Sequence, residues 1–137
     1  MYKRQILSLS AVEPGVDLLL EAGLERLHER SVRLSEYLIA LWEARLAALG
    51  FHLNSPRDPA RRGSHVSLGH AEGLRINLAL IHEAKVLPDF RRPDNIRLGI
   101  APLYNSFADI HTAVERLRAV VVDRLYEGYD ANGLIVT

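Results

Sequence analysis

The chain has 137 residues, no cysteine, and 17 basic against 17 acidic residues. This length suits one domain with one core, and without cysteine there is no disulfide framework, thiolate nucleophile or cysteine metal site. The balanced charge and the lack of a long apolar run or signal peptide pattern lead us to expect a cytoplasmic protein without a nucleic-acid or membrane partner.

The N-terminal part of the chain has the spacing of helices. Residues 1–5, M-Y-K-R-Q, look like the translated transposase end of a sequencing library, so we expect them to be non-native. Residues 6–20 have helical spacing with an interruption at Pro14-Gly15, which predicts two short helices or one kinked helix. Residues 24–49 repeat apolar side chains every three or four positions, which predicts an amphipathic helix of about seven turns that ends at Gly50. We interpret its leucine stripe, which includes Trp42, as core.

Three short segments in the middle of the chain have the features of β-strands. The first two are residues 51–54 and 64–68, separated by a loop rich in proline and arginine. In the second, Val66 and Leu68 lie on one face. Residues 86–90 form a brief apolar run, which predicts a short strand. We place this strand at the edge of the sheet, because its proline cannot donate to a ladder of hydrogen bonds.

A fourth strand is predicted at residues 95–100, where three large aliphatic side chains alternate with Asn95, Arg97 and Gly99. This alternation holds the guanidinium of Arg97 on the face opposite to the apolar side chains. The planar fork of an arginine matches the two oxygens of a carboxylate, so Arg97 is a candidate carboxylate-binding residue. The alternative is a solvated or salt-bridged arginine on a sheet face.

Two further helices complete the predicted fold. Residues 71–84 place three apolar side chains on one helical face: Leu74, Leu78 and Ile81. Ser106 is placed to cap a helix that begins at Phe107, reaches about Tyr126 and stops by Gly128. Its core stripe is predicted to contain Phe107, Ile110, Val114, Leu117, Val121 and Leu125. The element order predicts an α+β fold with a three- or four-stranded sheet covered by helices on one face, over residues 6–128, followed by a tail at residues 129–137.

Other candidates for chemistry are weak. The six histidines form no metal-binding spacing. Ser64 and His65 are adjacent on a strand and so point to opposite faces, which argues against a catalytic dyad. Only Lys3 and Lys85 are lysines, and Lys85 at a helix C-terminus is explained by the helix dipole. The residues thus offer one carboxylate-binding arginine and no nucleophile, base or metal site.

The stretch N-I-R-L-G-I-A-P-L-Y-N-S-F at residues 95–107 closely resembles the C-terminal motif of kynureninases, which are pyridoxal-phosphate enzymes of the aminotransferase class V group. Three other stretches resemble the same family in the same order: I-L-S-L-S-A-V-E-P-G-V-D-L-L-L-E-A-G-L from Ile6, S-P-R-D-P-A-R-R-G-S-H-V-S-L from Ser55 and V-L-P-D-F-R-R-P-D from Val86. The resemblance covers residues 6–125 and identifies the chain as the small C-terminal domain of a fold-type I pyridoxal-phosphate enzyme.

The resemblance implies part of a homodimeric enzyme that hydrolyses L-kynurenine to anthranilate and L-alanine in tryptophan breakdown. Arg97 occupies the position of the family's arginine that binds the substrate α-carboxylate. The family holds its Schiff-base lysine and its other pyridoxal 5'-phosphate contacts in a large N-terminal domain, and Lys85 does not match that lysine. We therefore expect a C-terminal fragment that neither binds the cofactor stably nor turns over kynurenine by itself.

Two alternatives remain open from the sequence. The first is the small domain of another class V member, such as an aminotransferase or a cysteine desulfurase, although the P-L-Y-N-S-F run is associated with kynureninase. The second is a stand-alone, non-catalytic α+β module that binds a carboxylate ligand or a partner chain.

Overall fold

A four-stranded antiparallel sheet and four α-helices form the fold of the computed structural model, which describes residues 9–130. The helices are α1 (Val12–Ala22), α2 (Leu24–Leu41), α3 (Gly73–His82) and α4 (Phe107–Val122). The strands are β1 (His52–Leu53), β2 (His65–Gly69), β3 (Asp89–Arg91) and β4 (Asn95–Gly99). The predicted α+β class is confirmed. The predictions for residues 1–8 and 131–137 lie outside the described residues.

The sheet has the strand order β1-β2-β4-β3, so β2 and β4 are central and β3 is an edge strand. Val66 pairs with Leu98, and Ile96 pairs with Phe90. These four side chains are buried on one face of the sheet, as the apolar alternation predicts. The edge strand was predicted too early, at residues 86–90. It begins directly after Pro88, whose missing N–H cannot join the ladder.

The long helix after Leu24 continues to Leu49, as predicted, but it changes pitch. After α2 the chain forms a π-helix (Trp42–Leu46) and a 3-10 helix (Ala47–Leu49), and Gly50 ends it with a φ of 91°. Most of the leucine stripe is core: Leu34, Leu38, Leu41 and Leu46 are buried. The prediction is wrong for Leu24, which is 61% exposed, because the buried residues of α2 begin only at Ser31.

The apolar face that the spacing indicates for α3 is not its most buried face. Leu74, Leu78 and Ile81 are half-buried, whereas the buried residues of the helix are Gly73, Ile76, Asn77, Ala79 and Leu80. The helix is apolar on most sides, so its spacing allowed more than one buried face. Gly73 suits the observed rotation, because a Cβ there would lie 2.5 Å from the backbone oxygen of Asp94. The helix therefore turns its glycine toward the β3–β4 connection.

Helix α4 begins as predicted. The Ser106 hydroxyl accepts from the backbone N–H of Asp109 at 3.2 Å, and the Asp109 carboxylate accepts from the Ser106 backbone N–H at 2.8 Å. The prediction of its core stripe is confirmed only for the middle of the helix. The buried residues are Ile110, Val114, Leu117 and Val120, while Phe107 and Leu125 are exposed and Val121 is half-buried. The α-helix ends at Val122, so the later positions leave the predicted face.

Helices α2, α3 and α4 contribute to one buried cluster with the apolar face of the sheet. Helix α1 is different, since none of its residues is buried. The predicted interruption at Pro14 is not seen. A turn lies at Ala11 instead, and Pro14 is in the first turn of α1, where the missing N–H of proline is tolerated. Within residues 9–130, no helix is long and apolar enough to cross a bilayer.

Candidate functional site

Arg97 lies at the middle of the central strand β4, on the face of the sheet opposite to the core. Its cross-strand neighbours are Ser67 on β2 and Asp89 on β3. Ile96 and Leu98 on either side of it are buried, and these two side chains anchor the strand. The fold thus holds the Arg97 side chain on a rigid, doubly paired strand and leaves 39% of that side chain exposed.

The guanidinium of Arg97 forms an ion pair inside the chain. Its Nη2 lies 2.6 Å from Oδ2 of Asp89, and the same oxygen accepts a hydrogen bond from Nε of Arg91 at 3.1 Å. All three side chains are well exposed, between 39% and 61%, so water and salt weaken these pairs. The salt-bridged arginine that the sequence left open is therefore the arrangement seen in this chain.

One donor of Arg97 is left without an acceptor. The Nε atom is buried and has no hydrogen-bond partner. A buried donor in this condition costs roughly 1–3 kcal/mol. The contact with Asp89 therefore does not satisfy the whole guanidinium.

A network of polar side chains orders the sheet face beside Arg97. Oδ1 of Asn95 accepts from Oγ of Ser67 at 3.0 Å and from Nδ2 of Asn54 at 2.5 Å. Nδ2 of Asn95 donates to Asp94 at 2.9 Å, and the other oxygen of Asp94 lies 3.0 Å from Nε2 of His52. The chain of contacts crosses β1, β2 and β4, so it fixes the polar surface on which Arg97 stands.

The part of the chain that contains Arg97 matches a known protein family. Residues 27–117 match the family model described as the Kynureninase C-terminal domain. The chain belongs to this family. The matched region contains the four strands, the whole of α3, and α4 as far as Leu117. Arg97 and its two cross-strand neighbours lie within it.

Individual kynureninases match over nearly the whole chain. The kynureninase of Geobacillus thermodenitrificans is 36% identical over 124 residues, which are 90% of this chain and 29% of that protein. The kynureninase of Pseudomonas fluorescens is 39% identical over 116 residues, 85% of this chain and 28% of that protein. The chain therefore spans less than a third of the length of the curated kynureninases that it matches.

Lys85, the other described residue weighed as a candidate for amine chemistry, makes a local contact in this kynureninase C-terminal domain. Nζ of Lys85 donates to the backbone oxygen of His82 at 2.7 Å, at the end of α3, which agrees with the helix-end interpretation. Among residues 9–130, no cluster of three or more His, Asp or Glu side chains is arranged to hold a metal ion.

Sequence reasoning missed Asp89 as the partner of Arg97. A signal existed, because Asp89 and Arg97 are equally distant from Pro93, as cross-strand partners in a hairpin centred on that proline are. The prediction of an edge strand that ends at residue 90 hid this pair, since β3 continues to Arg91. Ser67 had no comparable signal, because only the pairing of β2 with β4 brings it beside Arg97.

Proposed function

We propose that this chain acts as the C-terminal domain of a homodimeric kynureninase, which hydrolyses L-kynurenine to anthranilate and L-alanine. In this proposal Arg97 binds the α-carboxylate of the substrate. The observation that carries the proposal is a half-exposed guanidinium on a rigid central strand, on the sheet face opposite to the core. Membership of the kynureninase C-terminal domain family supports the same assignment.

The role of Arg97 in this enzyme is to hold and orient the substrate. Its guanidinium carries a fixed charge and can donate two parallel hydrogen bonds to a carboxylate. The pairing of β4 with both neighbouring strands limits the movement of its backbone. A rigid carboxylate contact fixes one end of the substrate. Such positioning reduces the entropic cost of reaching the transition state.

The described residues do not fit pyridoxal phosphate, so the cofactor of the proposed enzyme belongs to the remaining part of the kynureninase. Lys85 is the one lysine among residues 9–130, and its ammonium donates to the end of α3. We expect the purified chain to form no cofactor aldimine and to release no anthranilate from kynurenine. Stoichiometric aldimine absorbance after addition of pyridoxal phosphate would contradict this expectation.

A complementation experiment tests the role of Arg97. The chain is joined to the N-terminal part of the Geobacillus thermodenitrificans kynureninase, up to the point where the two sequences begin to align, and anthranilate is followed by fluorescence. Arg97→Lys keeps the charge but loses the planar fork. Charged hydrogen bonds are worth about 1.5–3 kcal/mol, so we expect kcat/KM to fall about 10- to 100-fold.

Arg91→Lys is the matched control. Arg91 lies on the neighbouring strand β3, and its side chain is 61% exposed and contacts the same aspartate. We expect this variant to keep kcat/KM within about twofold, as for an exposed ion pair. Equal losses in Arg97→Lys and Arg91→Lys would assign Arg97 to the surface ion pair alone and refute its role in substrate binding.

A further inference from the structure

We propose that Asp89 is a resident ligand of Arg97, which the incoming carboxylate must displace, and that Asp89 thereby sets the affinity of this site for monocarboxylates such as an α-amino acid. The inference rests on the proposed function of Arg97. It adds a residue that competes with the substrate from within the chain. The argument has three parts: which guanidinium nitrogen Asp89 occupies, what charge remains, and where Asp89 goes.

Asp89 occupies the nitrogen that a two-pronged grip requires. A guanidinium offers a carboxylate two forks, one formed by Nε with Nη2 and one formed by Nη1 with Nη2. Nη2 belongs to both forks, and it is the nitrogen that lies 2.6 Å from Asp89. Because Nε is buried, a carboxylate from solvent meets the Nη1–Nη2 fork. Nη2 has two N–H groups, so both carboxylates could contact it only with their negative charges side by side, and this repulsion makes Asp89 a competitor of the incoming carboxylate.

The local charge favours a second carboxylate. Asp89, Arg91 and Arg97 form a cluster of three charged side chains. The two arginines contribute two positive charges and the aspartate one negative charge, which leaves a net charge of one positive on this cluster. A bound monocarboxylate would neutralise this remaining charge. The partial exposure of all three side chains keeps the existing pairs weak, so exchange of one carboxylate for another needs little free energy.

Arg91 provides the place to which Asp89 withdraws. Its Nε already donates to Oδ2 of Asp89 at 3.1 Å, so the aspartate keeps one guanidinium partner after it leaves Arg97. Asp89 and Arg91 lie on the edge strand β3, and within residues 9–130 no strand on its outer side restricts their side chains. Without a ligand the cluster contains one carboxylate, that of Asp89. Its two guanidinium groups can bind two carboxylates, one each.

The test uses the full 137-residue chain and sodium acetate as the probe, with sodium chloride at matched ionic strength as the reference. The Nε–H signal of Arg97 is followed in a nitrogen-15 NMR spectrum and assigned by its loss in Arg97→Lys. In Asp89→Asn we expect half-saturation at an acetate concentration about two- to fivefold lower than in the parent chain, the range that an exposed ion pair supports. In Arg91→Gln we expect half-saturation at a higher concentration, because displaced Asp89 has lost its second partner.

Asp123→Asn is the charge-matched control. Asp123 lies at the C-terminal end of α4, so the variant has the same change in net charge without a change at the cluster. We expect its acetate affinity to equal that of the parent chain, and amide spectra verify that each variant is folded. Asp89→Ala supplies a second removal of the carboxylate.

The possible results separate this inference from the proposed function. An unchanged or weaker affinity in both Asp89→Asn and Asp89→Ala, with a saturable shift in the parent chain, overturns the competition and leaves carboxylate binding by Arg97 intact. An equal gain in Asp123→Asn also overturns it, since the effect would then be general electrostatics. A shift that fails to saturate in every variant overturns carboxylate binding by Arg97 and the inference with it.

Discussion

Helices α1 and α4 are both rich in apolar residues, yet they have opposite environments. Helix α4 buries four of its aliphatic side chains and begins with a reciprocal cap between Ser106 and Asp109. Helix α1 buries none, and the residue before it, Ala11, makes no side-chain cap. Five of its large aliphatic side chains are 39–66% exposed: Val12, Val16, Leu18, Leu19 and Leu20. A short helix gains most of its stability from packing, so the contrast indicates that α1 needs a partner that the described residues do not supply.

The contrast predicts that identical substitutions have very different effects in the core and on α1. Leu34 on α2 is fully buried, whereas Leu20 on α1 is 66% exposed. Leu34→Ala leaves a cavity and should lower the free energy of unfolding by about 2–5 kcal/mol. Leu20→Ala should change it by less than about 0.5 kcal/mol. Urea denaturation measures both, and equal losses would show that α1 is packed in solution.

Two glycines, one in the packed helix α3 and one in the exposed helix α1, provide a second test of this contrast. A Cβ at Gly73 would lie 2.5 Å from the backbone oxygen of Asp94, whereas a Cβ at Gly15 meets nothing within 4 Å. Gly73→Ala should therefore destabilise the fold by about 1–3 kcal/mol through overpacking. Gly15→Ala should favour helix formation in α1 by about 0.5–1 kcal/mol, because alanine is the better helix former. Gly73→Ala is expected to lower the urea midpoint, whereas Gly15→Ala is expected to raise helical circular dichroism with little change in the midpoint. A lower midpoint in Gly15→Ala, or an unchanged one in Gly73→Ala, would contradict the assigned environments.

The exposed apolar surface of α1 and the start of α2 should make the purified chain self-associate. Leu20→Glu with Leu24→Glu places charges on this surface, where the two leucines are 66% and 61% exposed. Sedimentation should show concentration-dependent association of the parent chain and a smaller average mass for the double variant. Val122→Glu on α4, also at an exposed aliphatic position, is the control and should associate like the parent. A parent chain that stays monomeric at high concentration would refute the prediction.

The cap of α4 predicts a smaller, pH-dependent effect. Hydrogen bonds from the Ser106 backbone N–H and then from its hydroxyl lower the pKa of Asp109 below its ordinary value. A carboxyl whose pKa is lowered by folding stabilises the fold above its unfolded pKa, and this contribution is lost as pH falls through the folded pKa. Asp109→Asn should therefore lose less stability than the parent between neutral pH and about pH 3. Asp17→Asn on α1 is the control, with unfolding free energies measured by urea denaturation at each pH. If Asp17→Asn loses as little stability in acid as Asp109→Asn, the effect comes from net charge and not from the cap.

Local patterns in the sequence were sufficient to predict most of the elements. Alternation of Ile96 and Leu98 with Arg97 predicted both the central strand and the face that carries the guanidinium. The cap at Ser106 and the helix end at Gly50 were also predicted correctly, because each depends on interactions within a few residues. The carboxylate-binding role of Arg97 remains a prediction.

Tertiary structure decided which surfaces meet. The rotation of α3 and the exposure of α1 depend on how whole elements pack together, which apolar spacing cannot express. The Arg97 site shows the same division. The sequence by itself determined that a guanidinium stands on the outer face of a rigid strand. Only the register of β3 against β4 determined that Asp89 holds its Nη2 and that Nε stays unsatisfied, because those contacts depend on distances between strands.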